Sequence, residues 1–337
     1  MNHAMNLLLS TIMLRPYVFI FLASFLFIAI VNFGLRTTVL FTVLTYAASL
    51  ACEWSSIHNG FPFGLYHYID ATRGREIWVF GVPFMDSLSF TFLAFASYTL
   101  ALLLSSPLYR RGADFRILDT WQIRRAPRVW LMAALFMVML DLVVDPLSVL
   151  GDRWFLGKMF WYDPPGPHFG VPISNYLGWY FVGAITIAIF QWLDATLNRG
   201  SAKPARALPS MRSRALLGPA LYAGIVIFGI TMLFRIDAPE IGWAAVFIYL
   251  PFTALAIHIL SRRESYGDRA AIERHLADFP YERVLHVWGP TIARTREPRR
   301  RIASTDSVGE ALDREAVPNV HQVWPAPVIE LQRGRKR

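Results

Sequence analysis

Four carboxylates interrupt otherwise apolar stretches of this chain, and their spacing suggests acid–base chemistry. Asp141 and Asp145 fall in Leu140-Asp141-Leu142-Val143-Val144-Asp145-Pro146, four residues apart, so a helix would carry both on one face, one turn apart. Glu53 closes another apolar run in Ala51-Cys52-Glu53-Trp54, and Asp86 follows Phe80-Gly81-Val82-Pro83 at the start of a third. An ionisable group at membrane depth costs several kcal/mol unless it is paired or hydrated, so such groups mark functional sites by default. A carboxyl crowded by burial and a like charge can keep its proton and donate it, for example to an alkene, while a second carboxylate activates water. Plainer roles exist for each: Asp145 capping or pairing at the Asp145-Pro146 break, Glu53 meeting water, and Asp86 answering the dipole of a helix start. Asn175, in Pro172-Ile173-Ser174-Asn175-Tyr176-Leu177-Gly178-Trp179, either caps a helix with Ser174 or turns its amide to a carboxylate or a water. The aromatics Trp54, Phe63, Tyr66, Tyr68, Trp161, Tyr176 and Trp179 suit an interfacial belt. Facing inward, their π-faces would stabilise a developing carbocation.

Metal and nucleotide chemistry find little support. His58, His67 and His168 are dispersed, with no HxxxH or HxxHH box, and read as interfacial or hydrogen-bonding histidines. No GxGxxG, P-loop or GxSxG string occurs. Any added oxygen would then come from water rather than dioxygen, with no cofactor.

The elements that must position these groups are membrane helices. The chain has 337 residues, 55% of them hydrophobic, with a mean hydropathy of +0.38. Its apolar runs recur at about 16–34, 37–54, 82–104, 128–149, 174–197, 215–234 and 240–260, each near the ~20 residues of a spanning helix. This predicts an all-α polytopic membrane bundle of about seven transmembrane helices, with residues 1–14 as a short lead-in and a tight turn at Asn32-Phe33-Gly34-Leu35-Arg36. Residues 1–261 would form the transmembrane catalytic domain, with spans six and seven as scaffold. Residues 262–337 would form a basic cytoplasmic tail, partly disordered, with a short helix around Asp268 to Ala277. The string Phe-Gly-Val-Pro occurs at 80–83 and again at 169–172, 27 residues after Glu53 and 24 after Asp145. That implies a parallel internal repeat whose two loops meet over one site.

The net charge of +9 is distributed as membrane topology requires, not as nucleic-acid binding would. Arg110, Arg111, Arg116, Arg124 and Arg125 lie between spans three and four, and Arg199, Lys203, Arg206, Arg212 and Arg214 between spans five and six. The intervening loops carry only Arg73 and Arg75, then Arg153 and Lys158, then Arg235. By the positive-inside rule the basic loops and the C-terminus are cytoplasmic and the N-terminus is outside. The protein would be integral to the cell membrane, its juxtamembrane arginines meeting anionic lipid headgroups. The single cysteine, Cys52, excludes an internal disulfide framework.

Glu53, the segment Gly60-Phe61-Pro62-Phe63-Gly64-Leu65-Tyr66-His67-Tyr68, Gly81-Val82-Pro83, Asp141 to Pro146 and Phe169 to Trp179 together resemble the integral-membrane carotenoid hydratases. That family includes bisanhydrobacterioruberin hydratases and the γ-carotene 1'-hydroxylase type. The resemblance covers roughly 45–200 and is most specific at Asp145-Pro146 and at Phe169-Gly170-Val171-Pro172 with Asn175, Gly178 and Trp179. His58-Asn59-Gly60 and Asp86 depart from its pattern. It implies a cofactor-independent hydro-lyase that adds water across the terminal double bond of an acyclic carotenoid end group, leaving a tertiary hydroxyl. It further implies Asp145 as proton donor with Asp141 as its coupled partner. Glu53 would deprotonate or position water, Asn175 would orient it, and Phe63, Tyr66, Tyr176 and Trp179 would contact the substrate, with Asp86 added to them by its place near the outer boundary rather than by the resemblance. The resemblance leaves the donor and base labels interchangeable, and association with other carotenoid-forming enzymes fits such a role. A membrane carotenoid cyclase or isomerase would use the same protonation. A carotenoid-binding or transport protein is the non-enzymatic alternative, although residues 249–260 hold no lysine for a Schiff base and the inner halves of spans two to four carry no charge for a polar path.

Overall fold

The computed structural model of the chain describes residues 3–150, 159–198, 211–262 and 266–279, all within one compact unit, Met1–Arg296. Arg153, Trp154, Lys158, Arg199, Lys203, Arg206 and the tail beyond 279 lie outside the described residues. In chain order the elements are α1 (His3–Leu14), α2 (Pro16–Asn59), β1 (Tyr66–Tyr68), β2 (Trp78–Val79), β3 (Val82–Pro83), α3 (Phe84–Ser105), β4 (Leu108–Arg111) and β5 (Asp114–Ile117). Then follow α4 (Trp121–Arg124), α5 (Pro127–Val149), β6 (Phe160–Tyr162), α6 (Ile173–Asn198), α7 (Leu217–Arg235), α8 (Pro239–Ser261) and α9 (Arg269–Asp278).

Among the described residues six helices are long and apolar enough to cross a membrane: α2, α3, α5, α6, α7 and α8. The first of them accounts for two of the seven expected spans. α2 has 44 residues, and Gly34 within it has φ 81° and ψ 165°, a conformation essentially reserved for glycine. Phe25 and Phe41 would stand about 24 Å apart along a straight helix. Their ring centroids are 6.2 Å apart, so the chain folds back on itself at Gly34 into antiparallel halves, 16–33 and 35–59.

The spans pack around α3, whose face is the most completely covered. The second half of α2 lies on one side of α3 and α5 on the other, α6 packs on α5, and α7 closes the bundle against α3 and α5. Between lipid-like surfaces association relies on close packing rather than on apolar burial. Here the packing is aromatic: Phe25, Phe41, Phe95, Tyr98 and Phe190 form one cluster, with Phe41 and Phe190 at 4.7 Å edge-to-face. α8 sits at the margin, burying Ile241, Gly242, Ala245 and Tyr249 and exposing Trp243, Phe247 and Leu250. Tyr222 and Tyr249 tie it to α7, and the Tyr222 hydroxyl donates to the Phe136 carbonyl.

The helix directions place Glu53, Asp86, Asp145 and Asn175 at one end of the bundle, where the expected repeat has a local structural form. Phe80 and Phe169 both have φ 51°, rare for a non-glycine residue, and each is followed by a positive-φ glycine, Gly81 or Gly170. The two copies of Phe-Gly-Val-Pro thus make the same turn into α3 and α6. The preceding loops are joined by antiparallel pairing of β1 with β6, Tyr66 opposite Tyr162 and Tyr68 opposite Phe160. Close approach of the loop to α6 depends on Gly178, where a Cβ would stand 2.5 Å from the Pro62 carbonyl oxygen.

The opposite, basic end carries structure that hydropathy did not reveal. β4 and β5 form a hairpin, and α9 docks beside it through Ala271 and Ile272 against Tyr109 and Leu118. Asp268 caps α9 by accepting from Ala271 N–H at 3.0 Å, consistent with the short helix expected there. Asp119 anchors it: the carboxylate pairs with Arg124 at 2.5 Å, and the His275 ring lies 3.4 Å from the carboxylate and 2.6 Å from the backbone oxygen. Burial alone would push the Asp119 carboxyl up, but the Arg124 guanidinium and His275 outweigh it and hold it well below the usual carboxylate range.

Candidate active site

A polar stripe on α2 leads to the first carboxylate. Thr45, Ser49, Glu53 and Ser56 recur at helical spacing and are all buried, which places them on the bundle-facing side. Glu53 accepts from the Ser49 hydroxyl at 2.6 Å, the Tyr68 hydroxyl at 3.0 Å and the Ser87 hydroxyl at 3.1 Å. Tyr68 comes from the strand after α2, and Ser87 from the first turn of α3.

The second carboxylate centre is built the same way. Asp145, near the end of α5, accepts at Oδ2 from the Tyr162 hydroxyl at 2.8 Å and from Asn175 Nδ2 at 2.7 Å. Tyr162 comes from the strand after α5, and Asn175 from the first turn of α6. The same Asn175 nitrogen donates to Asp141 Oδ2 at 2.6 Å, so one amide holds both aspartates, as their shared helix face requires. The other Asp141 oxygen is buried with no hydrogen-bond partner among the described residues. Each half of the repeat therefore supplies an outgoing-helix carboxylate, a tyrosine from the following strand and a donor from the returning helix. Burial raises the phenols of Tyr66, Tyr68 and Tyr162 well above their ordinary value, and nearby carboxylates add to it, so they remain O–H donors.

Glu53, Asp145, Asn175, Tyr68 and Tyr162 line one cavity of about 90 Å³, roomy enough for several waters. Phe63, Tyr66, Phe90 and Trp179 form its aromatic wall, with Phe90 and Trp179 at 5.2 Å between centroids. Asp86 also lines it, but as part of an ion cluster rather than as a solvated helix start. Arg15 Nη1 reaches Asp86 at 2.6 Å, and Arg15 Nε reaches Glu76 at 2.8 Å. Asp86 and Asn175 occupy the same place in the two halves, third after Pro83 and Pro172.

Several expectations need adjustment. Tyr176 does not line this cavity; its hydroxyl bonds the His168 ring. Asn175 is not a helix cap, because its amide is committed to the two aspartates. Trp54 and Trp161 face outward, where they stack on His58 and His67. Tyr162, Ser49, Ser87, Arg15 and Glu76 were not singled out from sequence. Buried polar residues at helical spacing could have exposed Ser49, whereas nothing local marks the others.

Asp145 with Asp141 can hold and deliver a proton, Glu53 can receive one, and the aromatic wall can face a cation. No curated protein and no solved structure matches the chain significantly. The sequence profile of the family described as carotenoid biosynthesis protein matches residues 4–251, most of the chain and all of the site. The chain therefore belongs to the carotenoid biosynthesis protein family.

Proposed function

We propose that the protein is a carotenoid hydratase, adding water across the terminal double bond of an acyclic carotenoid end group to give a tertiary hydroxyl. The observation that carries this reading is the convergence of two carboxylate centres, Asp145 and Glu53, on one cavity with room for water. Asp145, which lines the cavity, donates its proton to the less substituted alkene carbon, forming a C–H bond and a tertiary cation. The hydrogen bonds from Tyr162 and Asn175 stabilise the carboxylate left behind. Asp141, tied to the same amide, is the partner with which that proton is shared. The faces of Phe63, Tyr66 and Trp179 oppose the cation. Water then attacks it, forming the C–O bond, and loses a proton to Glu53, whose three hydroxyl donors suit an acceptor. The balance is one water consumed and one π bond lost, and proton return from Glu53 to Asp145 resets the site. In this reading the protein lies in the cell membrane with the basic end and C-terminus cytoplasmic.

The test is expression in a lycopene-producing host, followed by mass spectrometry of the extracted pigments. Wild type should yield pigment heavier by the mass of one water, and Asp145→Asn should not. A product isomeric with its precursor would instead indicate cyclisation or isomerisation, and hydrated pigment from Asp145→Asn would remove Asp145 from the mechanism.

A further inference from the structure

A second cavity of about 90 Å³ adjoins the carboxylate cavity, and the two share Asp86, Ser89, Leu93, Val144, Ser148 and Met159 as lining. Its wall beyond that junction is apolar and aromatic. Tyr17 stacks on Phe228 at 5.3 Å, Phe21 meets Phe228 edge-on at 5.5 Å, and Phe92 stands 5.7 Å from Phe21. These residues come from the first half of α2, from α3 and from α7, so the cavity runs between spans at the carboxylate end of the bundle. Arg15 reaches its margin already paired with Asp86 and Glu76.

The junction contains two serines whose hydroxyls are spent within their own helices. Ser89 donates to the Asp86 carbonyl at 2.6 Å, and Ser148 donates to the Val144 carbonyl at 3.0 Å. Back-bonded in this way, they turn little polarity toward the cavity. Their contribution at the junction is small size, one from α3 and one from α5.

We propose that this second cavity opens the binding channel for a linear isoprenoid polyene, holding the segment next to the reacting end group, which enters the carboxylate cavity between Ser89 and Ser148. The proposal rests on the reading that the end group reacts between Asp145 and Glu53. A conjugated, apolar chain suits an apolar, aromatic wall, and continuity with the carboxylate cavity puts the chain's terminus at the acid. A neck set by two serines also selects against a cyclised end, which is bulkier than an extended chain.

The test is pigment stoichiometry of full-length protein purified in mild detergent from a host making an acyclic carotenoid. Ser148→Leu and Ser89→Leu fill the neck from opposite helices. Ser24→Leu is the matched control: Ser24 is half-buried on α2, lines neither cavity and is equally back-bonded, to the Ile20 carbonyl at 2.8 Å. Wild type and the control should carry pigment, and at least one neck variant that elutes monodisperse should carry tenfold less. Wild type without pigment, or folded neck variants carrying as much as wild type, would overturn the channel. The same extracts separate the two readings. Neck-dependent pigment with no hydrated product refutes hydration and leaves the channel standing. Hydrated product with full pigment in the neck variants does the reverse.

Discussion

Replacing Tyr162 by Phe deletes one oxygen and leaves the ring that packs 5.6 Å from Tyr66 and 5.7 Å from Phe160. What is lost is the 2.8 Å O–H donation to Asp145 Oδ2, while Asn175 still donates at 2.7 Å. A hydrogen bond to a charged group is worth about 1.5–3 kcal/mol. That energy is realised as the carboxylate forms, because the donor stabilises the charge that proton delivery leaves behind. Removing it should therefore slow hydration by roughly 10- to 150-fold. Binding should change little, since the deleted oxygen is turned to Asp145 and the aromatic wall is intact. Initial rates on carotenoid supplied in membranes, normalised to folded protein, give the comparison. A rate within twofold of wild type would refute the claim that Tyr162 serves the proton donor, and equal losses in rate and folded yield would make the tyrosine merely structural.

Three other perturbations probe the base, the fold-back of α2 and the basic end. Glu53→Gln keeps an oxygen to accept from the surrounding hydroxyls but cannot take the water proton. Initial hydration rates should fall by about 10²–10⁴, the worth of a general base, and activity above a tenth of wild type would contradict the assignment. Gly34→Ala forces a Cβ into a glycine-only conformation at the fold-back of α2 and should cost about 1–3 kcal/mol, read as a lower melting temperature of the purified protein. At the basic end, the depressed Asp119 carboxyl contributes stability that is complete above its ordinary pKa of about 3.9 and is lost as pH falls below it. Hydrogen exchange across Arg269–Asp278 should accelerate in that acid window, and at neutral pH in Asp119→Asn.

What was legible in the sequence is what depends on local periodicity or on the cost of charge in an apolar run. Asp141 and Asp145 announce a shared face by their spacing, and the repeated Phe-Gly-Val-Pro announces two similar turns, which the φ of 51° at both Phe80 and Phe169 bears out. Trp179, four residues after Asn175, reaches the same cavity for the same reason. That rule also explains Tyr176: neighbours on a helix diverge by about 100°, so Asn175 and Tyr176 do not both face inward. Tyr162 and Arg15 escaped because their roles are non-local. Tyr162 is positioned by a three-residue strand paired with another far away in sequence, and Arg15 reaches Asp86 across 71 residues. Neither leaves a pattern in hydropathy. The docking of α9 escaped for a related reason, since its anchor is an aspartate 156 residues earlier.

In the proposed reaction water, activated between Glu53 and an Asp145-protonated end group, becomes the hydroxyl of the product. Its most direct test is the source of that oxygen, read by mass spectrometry of pigment formed in membranes incubated with heavy-oxygen water under ordinary air, and in the reverse labelling. Label should enter the hydroxyl from water and not from dioxygen, with one solvent deuterium at the protonated carbon when the medium is heavy water. Oxygen drawn from dioxygen, or a product without solvent deuterium at that carbon, would contradict it.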